Sequence, residues 1–163
     1  MAIEIERKFL LSSAAWRAQV CERTLLRQGY LANTERASVR VRLAGDAGVL
    51  SVKTMTRSMS RAEYEADIPA QDAREMLERL CEGALIEKWR HIVQHAGDRW
   101  EIDEFLGDNA GLIIAELELD SEQQAFERPP WLGDEVTHDE RYFNVRLSQQ
   151  PFSQWRDHAR QSL

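Results

Sequence analysis

Seven segments of this chain alternate charged and apolar residues with a period of two. Glu4, Glu6 and Lys8 interleave with Ile3, Ile5, Arg7 and Phe9; Arg40 and Arg42 interleave with Val39, Val41 and Leu43. Ser51 and Lys53 oppose Leu50 and Val52, and Arg61, Glu63 and Glu65 oppose Ala62, Tyr64 and Ala66. Lys88 and Arg90 oppose Trp89 and His91, Glu101 and Asp103 oppose Trp100 and Ile102, and Glu116 and Glu118 oppose Ala115, Leu117 and Leu119. Successive side chains of a strand point to opposite faces, so each segment predicts a strand with one charged and one more apolar face.

A single charged face ordinarily looks into water. Two features argue otherwise for the set. The charges sort by strand into acidic pairs (Glu4/Glu6, Glu101/Asp103, Glu116/Glu118) and basic pairs (Arg40/Arg42, Lys88/Arg90). In addition, the spacing of Ala73, Met76, Leu77 and Leu80 predicts a helix over about 71–81, and its apolar stripe needs a surface to cover. The apolar strand faces supply that surface if the sheet closes with its charged face inward. The expected fold is therefore α+β: an eight-stranded antiparallel β-barrel, or tunnel, with a charged lumen and helices packed outside.

Such a lumen must balance its signs, because unmatched buried charge is costly. Lys8, Arg40, Arg42, Lys53, Arg61, Lys88 and Arg90 face Glu4, Glu6, Glu63, Glu65, Glu101, Asp103, Glu116 and Glu118. Crowded carboxylates resist ionising unless cations join them, and hard divalent metals take oxygen ligands. Paired arginines suit an anion with many oxygens. A polyphosphate bound with Mg²⁺ satisfies both sets.

The remaining features bound the reading. With 163 residues, no low-complexity stretch and no linker, residues 1–163 are expected to form one domain. A net charge of −7 counts against nucleic acid as a partner. No apolar run approaches a membrane span, so no membrane association and a cytoplasmic location are the default expectation. Cys21 and Cys81 have no metal-ligand spacing and are read as reduced. Strands are expected at 25–31, 38–43, 48–54, 61–68, 85–93, 98–105, 112–119 and about 135–137. Helices are expected at 11–20, 121–127 and 152–161. His91 is read as packing on the apolar face, and the five tryptophans as core or barrel–helix packing.

EIERKFL at 4–10 resembles the N-terminal ExExK signature of CYTH-domain proteins, the triphosphate tunnel metalloenzymes. RQGYL (27–31), VRVRL (39–43), LSVKT (50–54), EKWR (87–90), WEIDEF (100–105), AELEL (115–119) and ERYFNVRL (140–147) resemble the family's later strands in order. The resemblance, closest to the compact bacterial type, implies metal-dependent hydrolysis of inorganic triphosphate with Mg²⁺ or Mn²⁺. It implies metal ligation by Glu4, Glu6, Asp103, Glu116 and Glu118. It implies triphosphate binding by Lys8, Arg40, Arg42, Lys53, Lys88 and Arg90, and a catalytic pairing of Lys8 with Tyr30. Arg61 is read as a further phosphate contact. Lys8 could serve as a base only with a lowered pKa, against which its acidic neighbours argue. The alternatives are a class IV adenylate cyclase, a nucleoside or thiamine triphosphatase, and a non-catalytic polyphosphate-binding module. The oligomeric state stays open, with a homodimer as one option.

Overall fold

A computed structural model describes residues 1–56 and 58–155. Nine strands account for most of it: β1 (Ala2–Leu11), β2 (Val20–Asn33), β3 (Ala37–Ala44), β4 (Ala47–Thr54), β5 (Ser60–Ile68), β6 (Glu82–His95), β7 (Asp98–Phe105), β8 (Ile113–Glu118) and β9 (Leu132–Glu135). Two α-helices join them, α1 (Ala70–Arg79) and α2 (Asn144–Gln149). The sheet order is β5-β4-β3-β2-β6-β7-β8-β1-β9, and a further antiparallel pairing of β5 with β1 closes the first eight strands into a barrel. One edge of β1 serves two partners in succession: Glu6 N–H donates to Met59 beside β5, and Lys8 C=O accepts from Val136 beyond β9. The opposite edge pairs with β8 from Glu6 to Phe9.

The period-two pattern decides what lies on each side of the wall. Outward residues of β1, β7 and β8, including Phe9, Trp100, Ile102, Ala115 and Leu117, form one core with Trp16, Trp131 and Leu132. Trp100 makes edge-to-face contacts with Phe9, Phe126 and Trp131 at centroid distances of 5.5–5.8 Å. Outward residues of β3 form a second core with Ala73 and Leu77 of α1. His91 is buried on the same outer surface, edge-on to Trp16, as its apolar position predicts. Inward positions carry the charges over most of the barrel. At one end, however, the inward series turns apolar at Leu10, Ile86, Phe105 and Ile114, which pack with Tyr142, Leu147 and Trp155 of the C-terminal segment. That segment closes one end of the barrel.

Several expected elements differ. Residues 11–20 do not form an α-helix: β1 runs to Leu11, Ala15–Gln19 make a 3-10 turn, and β2 already starts at Val20. Trp16 is the one buried residue of that turn, so it anchors the crossing without an apolar stripe. Residues 121–127 make bends and a turn instead of a helix, since Ala125 and Phe126 are their only apolar residues and Phe126 is drawn onto Phe9 and Trp100. The last strand lies at Leu132–Glu135 rather than 135–137. ERYFNVRL is helical, not a strand. The Asp139 side chain accepts from Arg141 N–H and starts a 3-10 turn over Glu140–Tyr142, which leads through Phe143 into α2. The resulting coil sends Tyr142 and Leu147 into the barrel end. Of the expected 152–161 helix, Phe152–Gln154 form a 3-10 turn and residues 156–163 lie outside the described residues.

Leu147 is fully buried in this closure. Leu147→Ala is expected to lower unfolding free energy by about 2–5 kcal/mol in urea titration. A loss under about 0.5 kcal/mol would mean that the C-terminal segment is an appendage rather than part of the core.

Candidate active site: a charged tunnel

The open part of the barrel holds a cavity of about 610 Å³. Glu4, Glu6, Lys8, Tyr30, Arg40, Arg42, Lys53, Arg61, Lys88, Arg90, Glu116 and Glu118 all border it. Asp103 alone among the expected site residues does not. It is fully buried on the inner face below the open cavity, where both of its oxygens are engaged by bases.

The carboxylates come together because β1, β7 and β8 are neighbours. Glu6 stands opposite Glu118, Lys8 opposite Glu116, and Glu101 opposite Glu116. Like charges in cross-strand positions repel. Lysines relieve part of this. Lys8 Nζ donates to Glu6 Oε1 at 2.8 Å and to Glu116 Oε1 at 2.7 Å, and Lys53 Nζ donates to Glu4 Oε2 at 2.7 Å. Burial alone would favour the neutral amine of Lys8, but Glu116 and Glu6 outweigh it and hold the ammonium charged. Glu118 has no such partner among the described residues: burial, with Glu4, Glu6 and Glu101 beside it, pushes its pKa up against the pull of Lys53. Across the barrel, burial raises Glu63 to about 7, helped by Glu4 and Glu65 and opposed by Lys53.

The cations collect on β3 and β6, with Gln28 and Tyr30 of β2 between them. Arg90 is clamped, its Nε 2.8 Å from Asp103 Oδ1, its Nη2 2.9 Å from Asp103 Oδ2 and its Nη1 2.5 Å from Glu101 Oε2. Lys88 Nζ lies 2.6 Å from Asp103 and donates to Asn144 Oδ1 at 3.0 Å. The remaining arginines are poorly matched. Arg42 and Arg61 have no ion-pair partner among the described residues, and the nearest carboxylate oxygen to Arg40 is Glu63 Oε1 at 3.9 Å. The buried Arg40 Nε has no hydrogen-bond acceptor among the described residues. Burial, with Arg40 and Arg90 nearby, pushes the Arg42 pKa down. A folded protein that buries cations against one another has built a place for an anion. Tyr30 is buried beside Arg40 and Lys8, and burial raises its phenol pKa.

Sequence reasoning missed three residues at this cavity. Thr137 Oγ1 accepts from the Lys8 backbone N–H at 3.1 Å, and Asn144 accepts from both Lys88 and Gln28. Phe143 borders the cavity beneath Arg61. All three come from the C-terminal segment, whose coil no periodicity in the sequence announces.

A closed antiparallel barrel with an acidic and a basic wall facing one lumen defines a tunnel for a polyanion and its counter-cations. The chain belongs to the CYTH family, whose domain model matches residues 2–147. It is 46% identical over 157 residues to an inorganic triphosphatase of Acetivibrio thermocellus, covering 96% of this chain and all of that protein. It is 39% identical over 149 residues to an inorganic triphosphatase of Nitrosomonas europaea, covering 89% and 96% of the two chains. A crystal structure of an inorganic triphosphatase superposes with a TM-score of 0.65 at 37% identity, covering 91% of this chain and 95% of that one.

The geometry around Asp103 predicts its role. Asp103→Asn leaves Lys88 and Arg90 without their buried counter-charge and is expected to destabilise the fold by about 3–5 kcal/mol in denaturant titration. Unchanged stability would show that the Asp103 clamp does not hold these two bases in place.

Proposed function

We propose that the tunnel hydrolyses inorganic triphosphate to diphosphate and phosphate. The observation that carries this reading is the set of under-matched arginines, Arg40, Arg42 and Arg61, facing a wall of carboxylates in one enclosed lumen. The activity named for the two relatives supports the reaction class.

In this reading the triphosphate lies against Arg40, Arg42, Arg61, Lys53, Lys88 and Arg90. Glu4, Glu6, Glu116 and Glu118 are hard oxygen donors crowded on the facing wall, and their chemistry fits Mg²⁺ or Mn²⁺. Among the described residues no three such ligands are gathered around one point, and Lys8 and Lys53 donate to one oxygen each of Glu6, Glu116 and Glu4. Triphosphatases of this family depend on a metal in general. When bound, the metal neutralises phosphate charge and makes bound water more acidic.

The protein's own groups do the rest. Water attacks the terminal phosphorus in line with the leaving diphosphate. Arg40, Arg42 and Arg90 meet charge on the equatorial oxygens where it builds up. Lys8 stays an ammonium and acts on the phosphate as a cation rather than as a base. Tyr30, kept protonated, donates a hydrogen bond. Asp103 orients Lys88 and Arg90 from the inner face below the open cavity.

Phosphate release from inorganic triphosphate, with ATP and long-chain polyphosphate in parallel, tests the reading in Mg²⁺, in Mn²⁺ and in excess EDTA. Metal-dependent release from triphosphate, reduced roughly a hundredfold or more in Glu116→Gln, is expected. No release from any substrate by the folded protein would contradict it.

A pH effect follows from Lys88. Burial pushes its pKa down to about 8, with Arg90 adding to the shift and Asp103 and Glu116 opposing it. The ammonium is therefore lost as pH rises through about 8, and KM for triphosphate is expected to climb over that range. Lys88→Arg, which keeps its charge, is expected to flatten the climb. A KM that stays constant from below to well above that pH would remove Lys88 from the binding set.

A further inference from the structure

A second cavity, of about 630 Å³, lies against the C-terminal segment. Asn33, Met55, Glu140 and Gln149 are among the residues that border it. Arg61, Phe143 and Val145 border both this cavity and the tunnel, so they form the wall between the two. The centre of that wall is a stack: the Arg61 guanidinium carbon lies 4.5 Å from the Phe143 ring centroid. The ring is buried and packs with Tyr30, Val145 and Met55. A cation over an aromatic face is held there, and a ring in a packed cluster does not swing aside freely.

The two sides of the wall differ in chemistry. On the tunnel side stand the phosphate-seeking cations. On the far side Met55, Phe143 and Val145 form an apolar patch inside a largely polar rim that includes Glu35, Glu140 and Arg146, and the Asn33 side-chain oxygen there is buried with no hydrogen-bond partner among the described residues. A cavity with an apolar patch, a polar rim and an unsatisfied amide is what a flat heterocycle carrying a sugar would fill.

We infer that Phe143 is a specificity-determining residue: stacked with Arg61, its ring shuts the second cavity off from the tunnel and so excludes triphosphates that carry an organic group such as a nucleoside. This rests on the tunnel being the triphosphate site. Removing the ring joins the two cavities and gives the organic group a place beyond the phosphates. The chemical class admitted is the triphosphate monoester.

The test is calorimetric binding of inorganic triphosphate and of ATP in EDTA, where metal-dependent turnover is absent. Wild type, Phe143→Ala, Phe143→Leu and Phe143→Ala/Gln149→Trp are compared, each checked for a cooperative melt. Phe143→Ala is expected to raise ATP affinity about tenfold relative to triphosphate affinity, whatever triphosphate itself loses with the Arg61 stack. Phe143→Leu, the milder change, is expected to move the same way by less. Trp at position 149, filling the second cavity, is expected to reverse the gain. Wild type that binds triphosphate, with folded Phe143 variants that gain nothing for ATP relative to triphosphate, overturns the inference and leaves the triphosphate site standing. Wild type that binds neither ligand overturns both.

Discussion

Closing eight strands with their charged faces inward forces this protein to solve an electrostatic problem before it can fold. The outward faces are already committed: Phe9, Trp100, Ile102 and Leu117 to one core, Val41 and Leu43 to another under α1. The charges therefore have nowhere else to go. Most are settled by pairs within one strand or between nearby strands, such as Lys8 with Glu6 and Glu116, Lys53 with Glu4, and Lys88 and Arg90 with Asp103. Those pairs fix where the cations sit. What they leave over, Arg42 and Arg61 on one side and Glu118 on the other, is the binding capacity of the tunnel.

Pairing and function pull against each other in such a lumen. A fully matched set would be more stable and would hold an anion poorly, because each arginine would already own a carboxylate. The protein divides the work by depth. Asp103 is sunk on the inner face below the open cavity, where it holds Lys88 and Arg90 without taking up the cavity's open surface. Arg40 and Arg42 lie on a strand whose direct partners across the sheet are Tyr30, Gln28, Ser51 and Val49, so no acid lies beside them in register. The strand register itself keeps them available.

The barrel and its charged face were legible in the sequence because a period of two is insensitive to exact strand ends. β2 and β6 are each several residues longer than their patterns suggested, yet the parity of Tyr30, Lys88 and Arg90 was unaffected. Asp103 was placed on the correct face by parity, but parity carries no information on depth, and its burial was not foreseeable. The C-terminal segment was the least legible part. RYFNVRL has no clear period and reads as a strand only by the family resemblance; the cap at Asp139 and the apolar barrel end at Leu10, Ile86, Phe105 and Ile114 go with the coil. Because Thr137 and that coil's Phe143 and Asn144 all lie past the last strand, the sequence showed the charges of the site and not the groups that shape it.

The central claim is that the lumen carries cations left unmatched for an anion, and Arg42 tests it most directly. Thermal unfolding of wild type and Arg42→Met is compared without ligand and with inorganic triphosphate in EDTA. Without ligand, the variant is predicted to melt higher, since a half-buried charge with no ion-pair partner among the described residues has been removed. With triphosphate, wild type is predicted to gain stability as the ligand concentration rises, and the variant to gain much less. A variant that melts lower without ligand, or a wild type that triphosphate leaves unchanged, would contradict the account.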